Sequence, residues 1–239
     1  MSSDRYRQAA GIASFTERYI LSVIYLGFAY GEWVWLRLDW PGLHAGDPAY
    51  FGYFSEDFTI GALDLIMGLV LLLGRRAAAS PRNLTEIAVP LAASFYFVLF
   101  SYVPLLPDSL QWLRQNRAPE GWQGALAYLG FALGVLGVAF AIWGILSLGR
   151  SFGIFVAVRS VVLRGPYRFV RHPMYGGYIV GSLGLLLANA NLALAVLVPL
   201  QAALFVWRAR LEEARLAEFS ADYRAYQQRT GFFLPRFVR

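Results

Sequence analysis

Four stretches of the chain are almost purely apolar, and polar segments separate them. They cover residues 17–36, 59–74, 86–106 and 124–147. Each is close to the ~20 residues that an α-helix needs to span the ~30 Å hydrocarbon core of a bilayer. The pattern therefore predicts four transmembrane helices.

A fifth apolar region, residues 175–208, is interrupted by the sequence Ala-Asn-Ala-Asn at positions 188–191. Its first half has about 13 residues, which at 1.5 Å per residue reach only ~20 Å. That length is too short for a full crossing. We therefore expect a helical hairpin that enters the membrane and returns to the side from which it started.

The charged residues differ in sign from one connecting segment to the next. Arginines are concentrated in the N-terminal segment, in 75–85 and in 149–172, whereas an acidic loop over 37–58 carries Asp39, Asp47, Glu56 and Asp57. Cytoplasmic loops are usually rich in Lys and Arg. The pattern therefore predicts that the arginine-rich segments, both termini and the C-terminal tail face the cytoplasm.

The composition agrees with a membrane protein and excludes other classes. Of 239 residues, 58% are hydrophobic, and the mean hydropathy is +0.48. The net charge of +6 comes mostly from arginines beside apolar stretches, which favours anionic headgroups over nucleic acid as a partner. Because the chain has no cysteine and two histidines, we expect no metal site. The oligomeric state cannot be derived from the sequence.

Two pairs of glycines have the four-residue spacing that is typical of closely packed helices. They are Gly27 with Gly31 and Gly130 with Gly134. We expect both pairs to lie where two helix backbones approach each other.

Residues 164–178 form the first of two polar clusters that could carry chemistry. Pro173 can open the first helix of the hairpin, and Arg171 and His172 would lie beside that helix's N-terminus, where exposed N–H groups favour an anion. Small residues then leave one helix face bare for a ligand or a neighbouring backbone; they are Gly176, Gly177 and Gly181. The alternative is an interfacial anchor, because Arg and Tyr are common at membrane boundaries.

The second cluster is the acidic pair Glu212 and Glu213, which follows an expected helix end at Trp207 together with Arg208 and Arg210. Such a pair could be only a solvated, charge-paired helix face. However, a hairpin would return it to the place where residues 164–175 emerge. One patch would then hold histidine, arginine, tyrosine and carboxylate side chains, and ionisable residues at a membrane boundary are candidates for function.

The two clusters together resemble a known group of enzymes. The matching pattern is Gly-Pro-Tyr at 165–167, Arg-His-Pro at 171–173 with Tyr175 and Gly177, then Glu212-Glu213, and finally Tyr223 with Tyr226 and Pro235. It is similar to the isoprenylcysteine carboxyl methyltransferase and phospholipid methyltransferase superfamily. The resemblance covers roughly residues 124–236.

The resemblance implies an integral membrane enzyme that uses S-adenosylmethionine near the cytosolic face. It implies that the cofactor is bound by Gly165, Pro166, Tyr167, His172, Pro173, Tyr175, Glu212 and Glu213. It also implies catalytic roles for Arg171, Arg208, Arg210 and Glu212, with the arginines as candidates to hold a substrate anion. The acceptor would be a membrane lipid or a lipidated or amphipathic small molecule, most like a prenylated cysteine carboxylate.

Other functions stay open at this stage. Within the superfamily, N- or S-methylation of a phospholipid or a small molecule is compatible with the same residues. A sterol-type membrane reductase that uses NADPH has a similar Arg-His-Pro and C-terminal tyrosine region, and a non-catalytic membrane protein is the third reading.

The predicted fold is an all-α integral membrane protein. It has four transmembrane helices, then a helical hairpin, then a C-terminal amphipathic helical tail. Residues 1–123 would contain about three of the helices and match no family specifically. Residues 124–239 would form the methyltransferase-like membrane core with the cofactor loop, the hairpin and the tail.

Overall fold

The computed structural model describes residues 11–44, 48–96, 98–99 and 107–236. Their regular structure is helical, apart from isolated bridges that join Ala79 to Val158 and Val170 to Gly231. The α-helices are α1 (Ser22–His44), α2 (Pro48–Leu72), α3 (Thr85–Phe95), α4 (Gln123–Leu148), α5 (Pro173–Asn189), α6 (Leu192–Phe219) and α7 (Ala221–Arg229). A π-helical turn, Thr16–Leu21, leads directly into α1.

Helix α1 packs along α2 as an antiparallel pair. The absence of a side chain at Gly68 leaves room for Leu26, and Gly61 lies against the side chain of Glu32. The predicted role of Gly27 and Gly31 is wrong for the described residues, because none of them lies within 4 Å of where the Cβ atoms of these glycines would be. The close approach is made by glycines of α2 instead.

Helices α4 and α5 form the second pair, and here small residues meet on both sides. Gly130 lies against the backbone of Gly184 and Ala188, and Gly137 lies against the backbone of Gly177 and Gly181. A Cβ atom at these glycines would overlap with backbone atoms of the partner helix. This contact is the helix packing predicted for Gly130. It also shows that the face of α5 without side chains, at Gly177 and Gly181, packs against the backbone of α4.

The predicted helical hairpin consists of α5 and α6. Helix α5 ends at Asn189, Ala190 has a left-handed conformation with φ of 43°, and Asn191 caps α6 by accepting a hydrogen bond from the Leu194 N–H. Helix α6 has 28 residues and runs without a break to Phe219. The expected helix end at Trp207 is therefore wrong, and the acidic pair lies within α6.

The arginine-rich segments lie together at one end of the molecule. The Ala78 N–H donates to the Val158 carbonyl over 2.8 Å, and the Arg75 N–H donates to Arg150 over 2.8 Å. The Ala77 N–H donates to Ser14 Oγ, and Arg215 of α6 donates to the Ser80 carbonyl. These bonds place the start of the chain, the 75–85 loop, the 149–172 loop and the end of α6 on one side, as predicted.

Three helical segments in the described residues are long and apolar enough to cross a membrane: Gly11–Leu38, Gln123–Ser151 and Leu192–Phe219. The apolar helices Ile60–Leu72 and Thr85–Phe95 are shorter. The predicted number of four crossings is not confirmed, because α3 ends at Phe95 and residues 100–106 of that run lie outside the described residues.

The acidic segment 37–58 is not a loop over most of its length. Helix α1 continues to His44 through Pro41, and α2 begins at Pro48. Residues 45–47 between them, including Asp47, lie outside the described residues. Hydrogen bonding within a helix does not depend on side-chain polarity, so a helix can extend beyond the apolar run that predicts it.

We predict that Gly137→Ala destabilises the protein, whereas Gly134→Ala does not. A Cβ at Gly137 would overlap with backbone atoms of α5, while a Cβ at Gly134 would have no described residue within 4 Å. Overpacking of this kind costs about 1–3 kcal/mol, and alanine at an open helical site gains up to about 1 kcal/mol over glycine. The unfolding temperature of each variant in detergent measures these changes in stability. Equal shifts of the unfolding temperature in the two variants would contradict the packing described.

We also predict that single cysteines at Ser160 and Ala225 are labelled from the cytoplasmic side, and that a cysteine at Asn189 is not. All three positions are exposed, and the natural chain has no cysteine that would interfere. The arginine-rich end contains Ser160 and Ala225, and the positive-inside rule assigns that end to the cytoplasm. Labelling of Ser160 and Ala225 from opposite sides would overturn this topology.

Candidate functional site

A cleft of roughly 830 Å³, partly open to solvent, lies at the arginine-rich end. Its walls are the 151–162 loop, the first turn of α5, the last turns of α6, and α7. The two polar clusters of the sequence meet at this cleft.

One group of side chains joins the start of α5 to the acidic pair on α6. Glu213 Oε1 accepts hydrogen bonds from Arg171 Nε over 2.5 Å and pairs with His172 Nε2 over 3.0 Å. Gln227 of α7 donates to the other oxygen of Glu213. His172 is buried and its ring stacks on Tyr175 with an interplanar angle of 8°. These contacts fix the orientation of the histidine ring at the edge of the cleft.

A second group centres on Glu212, which lines the cleft. Its Oε1 accepts from the Tyr175 hydroxyl over 2.5 Å and from Arg208 Nε over 3.1 Å. Within the described part of the chain, the other oxygen, Oε2, has no hydrogen-bond partner. Glu212 therefore presents a fixed carboxylate with one oxygen available to a ligand.

The C-terminal segment closes one side of the site. The Arg171 N–H donates to the Gly231 carbonyl over 2.9 Å, and the His172 N–H donates to the Phe232 carbonyl over 3.1 Å. The Arg171 guanidinium also donates to the Gln227 and Thr230 carbonyls. The Arg-His-Pro segment is thus held by backbone bonds as well as by Glu213.

The two tyrosines of α7 belong to the same wall. The Tyr226 hydroxyl donates to the Tyr167 carbonyl over 2.6 Å. Burial raises the pKa of Tyr226 to about 12. Burial, and then the nearby charges of Glu213 and Glu212, raise the pKa of Tyr223. Both phenols therefore stay protonated at neutral pH and can donate hydrogen bonds.

The opposite wall depends on an ion pair that connects the start of the chain to the 149–164 loop. The buried Arg159 guanidinium bonds to Glu17, and Glu17 Oε1 accepts from the Phe155 N–H over 2.6 Å. The absence of a side chain at Gly153 leaves the space that the Arg159 guanidinium occupies. Arg159 lines the cleft.

Some of the predicted site residues support the cleft without lining it. Gly165 has φ of 59° and lies against Ser147, Pro166 is fully buried, and Pro173 is the first residue of α5. They position their neighbours Tyr167 and Met174, which do line the cleft. Glu213 has the same supporting position, because it faces Arg171 and His172.

Two predicted arginines do not face the cleft. Arg208 is buried and donates to Ser94 Oγ and to the Gly153 and Ile154 carbonyls as well as to Glu212. Arg210 is exposed and is not among the residues of the wall. Their predicted role of holding a substrate anion has no support in this geometry, because successive residues of a helix point in different directions.

Several residues of the cleft were not among the candidates from the sequence. Arg159 and Arg215 line it, and Glu17 holds Arg159 in place. The sequence contained a signal for Glu17, since an acid within an apolar run is usually paired or functional. In the sequence, Arg159 was recognised only as one of the arginines that make the 149–172 segment basic. The apolar residues Phe152, Val161 and Leu216 had no distinguishing pattern.

Comparison with known proteins agrees with the motifs. Residues 129–218 match the sequence model of the isoprenylcysteine carboxyl methyltransferase family. This range contains the 149–172 loop, the hairpin and the acidic pair, while α7 with its two tyrosines follows it.

Two curated proteins illustrate the range of relatives. The cobalt-zinc-cadmium resistance protein CzcN of Cupriavidus metallidurans is 32% identical over 121 residues, which are 48% of this chain and 54% of that protein. The chain therefore matches about half the length of CzcN. A probable protein-S-isoprenylcysteine O-methyltransferase of Oryza sativa is 26% identical over 162 residues, which are 64% of this chain and 82% of that protein.

A solved structure of the eukaryotic intramembrane Ras methyltransferase, isoprenylcysteine carboxyl methyltransferase, aligns over 95% of this chain and 97% of its own. The sequences are 20% identical and the TM-score is 0.42, so the assignment depends on the sequence matches. Residues 129–218 of the chain are therefore similar to the isoprenylcysteine carboxyl methyltransferase family, in agreement with the motifs of the sequence.

Proposed function

We propose that this protein is an integral membrane methyltransferase that uses S-adenosylmethionine and methylates a lipidic or amphipathic acceptor. The favoured reaction is carboxyl O-methylation of an S-prenylated cysteine. The observation that carries the proposal is the cleft in which Glu212 offers a fixed carboxylate oxygen beside His172, Arg171 and two tyrosine hydroxyls.

The side chains of the cleft fit the chemical groups of this cofactor. Its amino acid end carries an ammonium and a carboxylate, which pair with Glu212 and with the cationic and N–H donors at the start of α5. Its sulfonium is a cation, and cations are attracted to aromatic faces. Tyr167 and Tyr223 both contribute to the wall.

When bound, the cofactor supplies an electrophilic methyl group. A direct transfer of that methyl group to the acceptor oxygen would require no covalent intermediate on the protein. The protein's own contribution is to bring the two partners together and to exclude water. The phenols and apolar side chains around the cleft suit that task, and an acceptor with an apolar tail can enter from the bilayer beside this end of the hairpin.

A reductase that uses NADPH is less well supported. The 2′-phosphate of NADPH requires a cationic side chain whose charge is not already offset. The three arginines of the cleft, Arg159, Arg171 and Arg215, form ion pairs with Glu17, Glu213 and Glu86. A protein without catalytic activity is distinguished from both enzymes by binding neither cofactor.

We predict that the purified protein binds S-adenosylmethionine and S-adenosylhomocysteine but not NADPH, and that Glu212→Gln weakens this binding about 10- to 150-fold. The loss corresponds to one charge-assisted hydrogen bond of about 1.5–3 kcal/mol. Isothermal titration calorimetry in detergent measures the affinity of each ligand for the natural protein and for the Glu212→Gln variant.

The matched control is Glu120→Gln. Glu120 is exposed and lies outside the cleft. Its replacement removes the same charge and should leave the affinity within about two-fold, because exposed charges contribute little. Equal affinities in Glu212→Gln and the natural protein, or binding of NADPH alone, would contradict the proposed cofactor site.

We further predict that the protein in lipid vesicles transfers a radiolabelled methyl group to an N-acylated, S-prenylated cysteine with a free carboxylate, but not to the corresponding amide. The product should be a methyl ester, so alkali should release the label as volatile methanol. Label that resists alkali, with a phospholipid amine or a thiol as acceptor, would identify N- or S-methylation as the reaction instead. No transfer to any acceptor, despite cofactor binding, would contradict the proposed activity.

A further inference from the structure

A second cleft, of roughly 640 Å³, lies beside the first at the arginine-rich end. It is formed by the helical start of the chain from Gly11 to Tyr19, by the end of α2 and the residues after it, and by Phe152 and Arg159 of the loop. Most of its wall lies outside the segment that matches the family. We call it the basic cleft.

The basic cleft carries an excess of positive charge. Four arginines contribute to its wall, and Glu17 is the one acid among the wall residues; the arginines are Arg18, Arg75, Arg76 and Arg159. Glu17 is already paired with Arg159. In the described part of the chain, Arg18, Arg75 and Arg76 form no ion pair with a carboxylate. Their charges are therefore available to an anion.

Arg159 provides a buried cation in the wall that this cleft shares with the first. Its side chain is 8% exposed, and its Nε is buried without a hydrogen-bond partner among the described residues. A buried donor without a partner is costly in a folded protein. An anionic oxygen in the basic cleft would remove that cost, so the residue points to a ligand as well as to the ion pair with Glu17.

Aromatic side chains flank the arginines on the helix that enters the membrane. Phe15 and Tyr19 belong to the wall and are about half exposed, and their rings are 4.9 Å apart. The Arg18 guanidinium lies 5.6 Å from the centre of the Tyr19 ring. Exposed aromatic residues beside arginines are typical of the headgroup level of a membrane. This favours a lipid over a soluble anion.

We propose that the basic cleft binds the phosphate of an anionic membrane lipid. The phosphate would lie among Arg18, Arg75, Arg76 and Arg159, and the acyl chains would extend along the start of the chain, past Phe15, into the bilayer. Arginine suits this task because its planar group can donate two parallel hydrogen bonds to phosphate. The proposal does not depend on methyl transfer.

The test is equilibrium binding of phosphatidylglycerol with a fluorophore on its acyl chain, in zwitterionic detergent. Acyl-labelled phosphatidylcholine serves as the reference lipid. We expect the natural protein to prefer phosphatidylglycerol, and we expect the double variant Arg75→Gln, Arg76→Gln to reduce its affinity about 25-fold. This corresponds to about five-fold for each basic residue near an anionic headgroup. Both side chains are exposed, so the variant should fold.

The matched control is Arg224→Gln, Arg229→Gln, which removes two charges from exposed positions of α7 outside both clefts. It should keep the preference for phosphatidylglycerol. An equal loss in both double variants would show attraction by net charge alone and would overturn the proposal. Displacement of the labelled lipid by inorganic phosphate at similar affinity would also overturn it, because the site would then bind free phosphate. Cofactor affinity, measured in the same samples, reports separately on the methyltransferase site.

Discussion

The buried guanidinium of Arg208 is the contact on which the geometry of the cleft depends. It donates to Glu212 within α6, to Ser94 near the end of α3, and to the Gly153 and Ile154 carbonyls of the loop. It also lies 5.1 Å from the centre of the Tyr175 ring. A buried charge is tolerated only when its partners are in place, and removal of one partner of a buried pair typically costs about 3–5 kcal/mol. The Arg208 side chain therefore connects the loop, the end of α3 and α5 to α6.

This arrangement explains how two adjacent acids can have different tasks. Glu212 and Glu213 are separated by about 100° around the helix. Glu213 is turned toward Arg171 and His172 and holds the Arg-His-Pro segment. Glu212 is turned toward Arg208 and Tyr175 and still offers an oxygen to the cleft. The cleft therefore has a carboxylate whose position is set before any ligand arrives, which reduces the cost of ordering on binding.

Much of this architecture could be predicted from the sequence, because it follows from local patterns. The Asn-containing break at 188–191 predicted the hairpin, and the hairpin brought the two motifs together. What failed depended on information that is not local. A run of apolar residues gives the extent of a membrane crossing, but α1 and α6 continue into polar sequence. Glycines spaced four residues apart predict a helix face without side chains, but they do not identify which helix will pack against it. For this reason the prediction for Gly27 and Gly31 was wrong.

The site shows the same distinction. Most of the motif residues lie together at one cleft, whereas their division into residues that line the cleft and residues that support it required the geometry. Arg208 and Arg210 have the same charge and are two positions apart, yet one is buried and the other exposed. The pairing of Glu17 with Arg159 joins positions 142 residues apart, and no pattern within either segment contains that information.

The 149–164 loop connects the segment that matches the family model to a part of the chain that the model does not match. Between the turn Gly149–Ser151 and the turn Gly165–Arg168 the loop has no helix of its own. Its backbone is instead bonded to Glu17, Ala79 and Glu86, all of which precede residue 129. The shape of the cleft is therefore a property of the whole chain, since those contacts hold the loop that carries Arg159. Members of a superfamily that share the hairpin but differ in their first helices would accordingly present the same motif residues in clefts of different shape and charge.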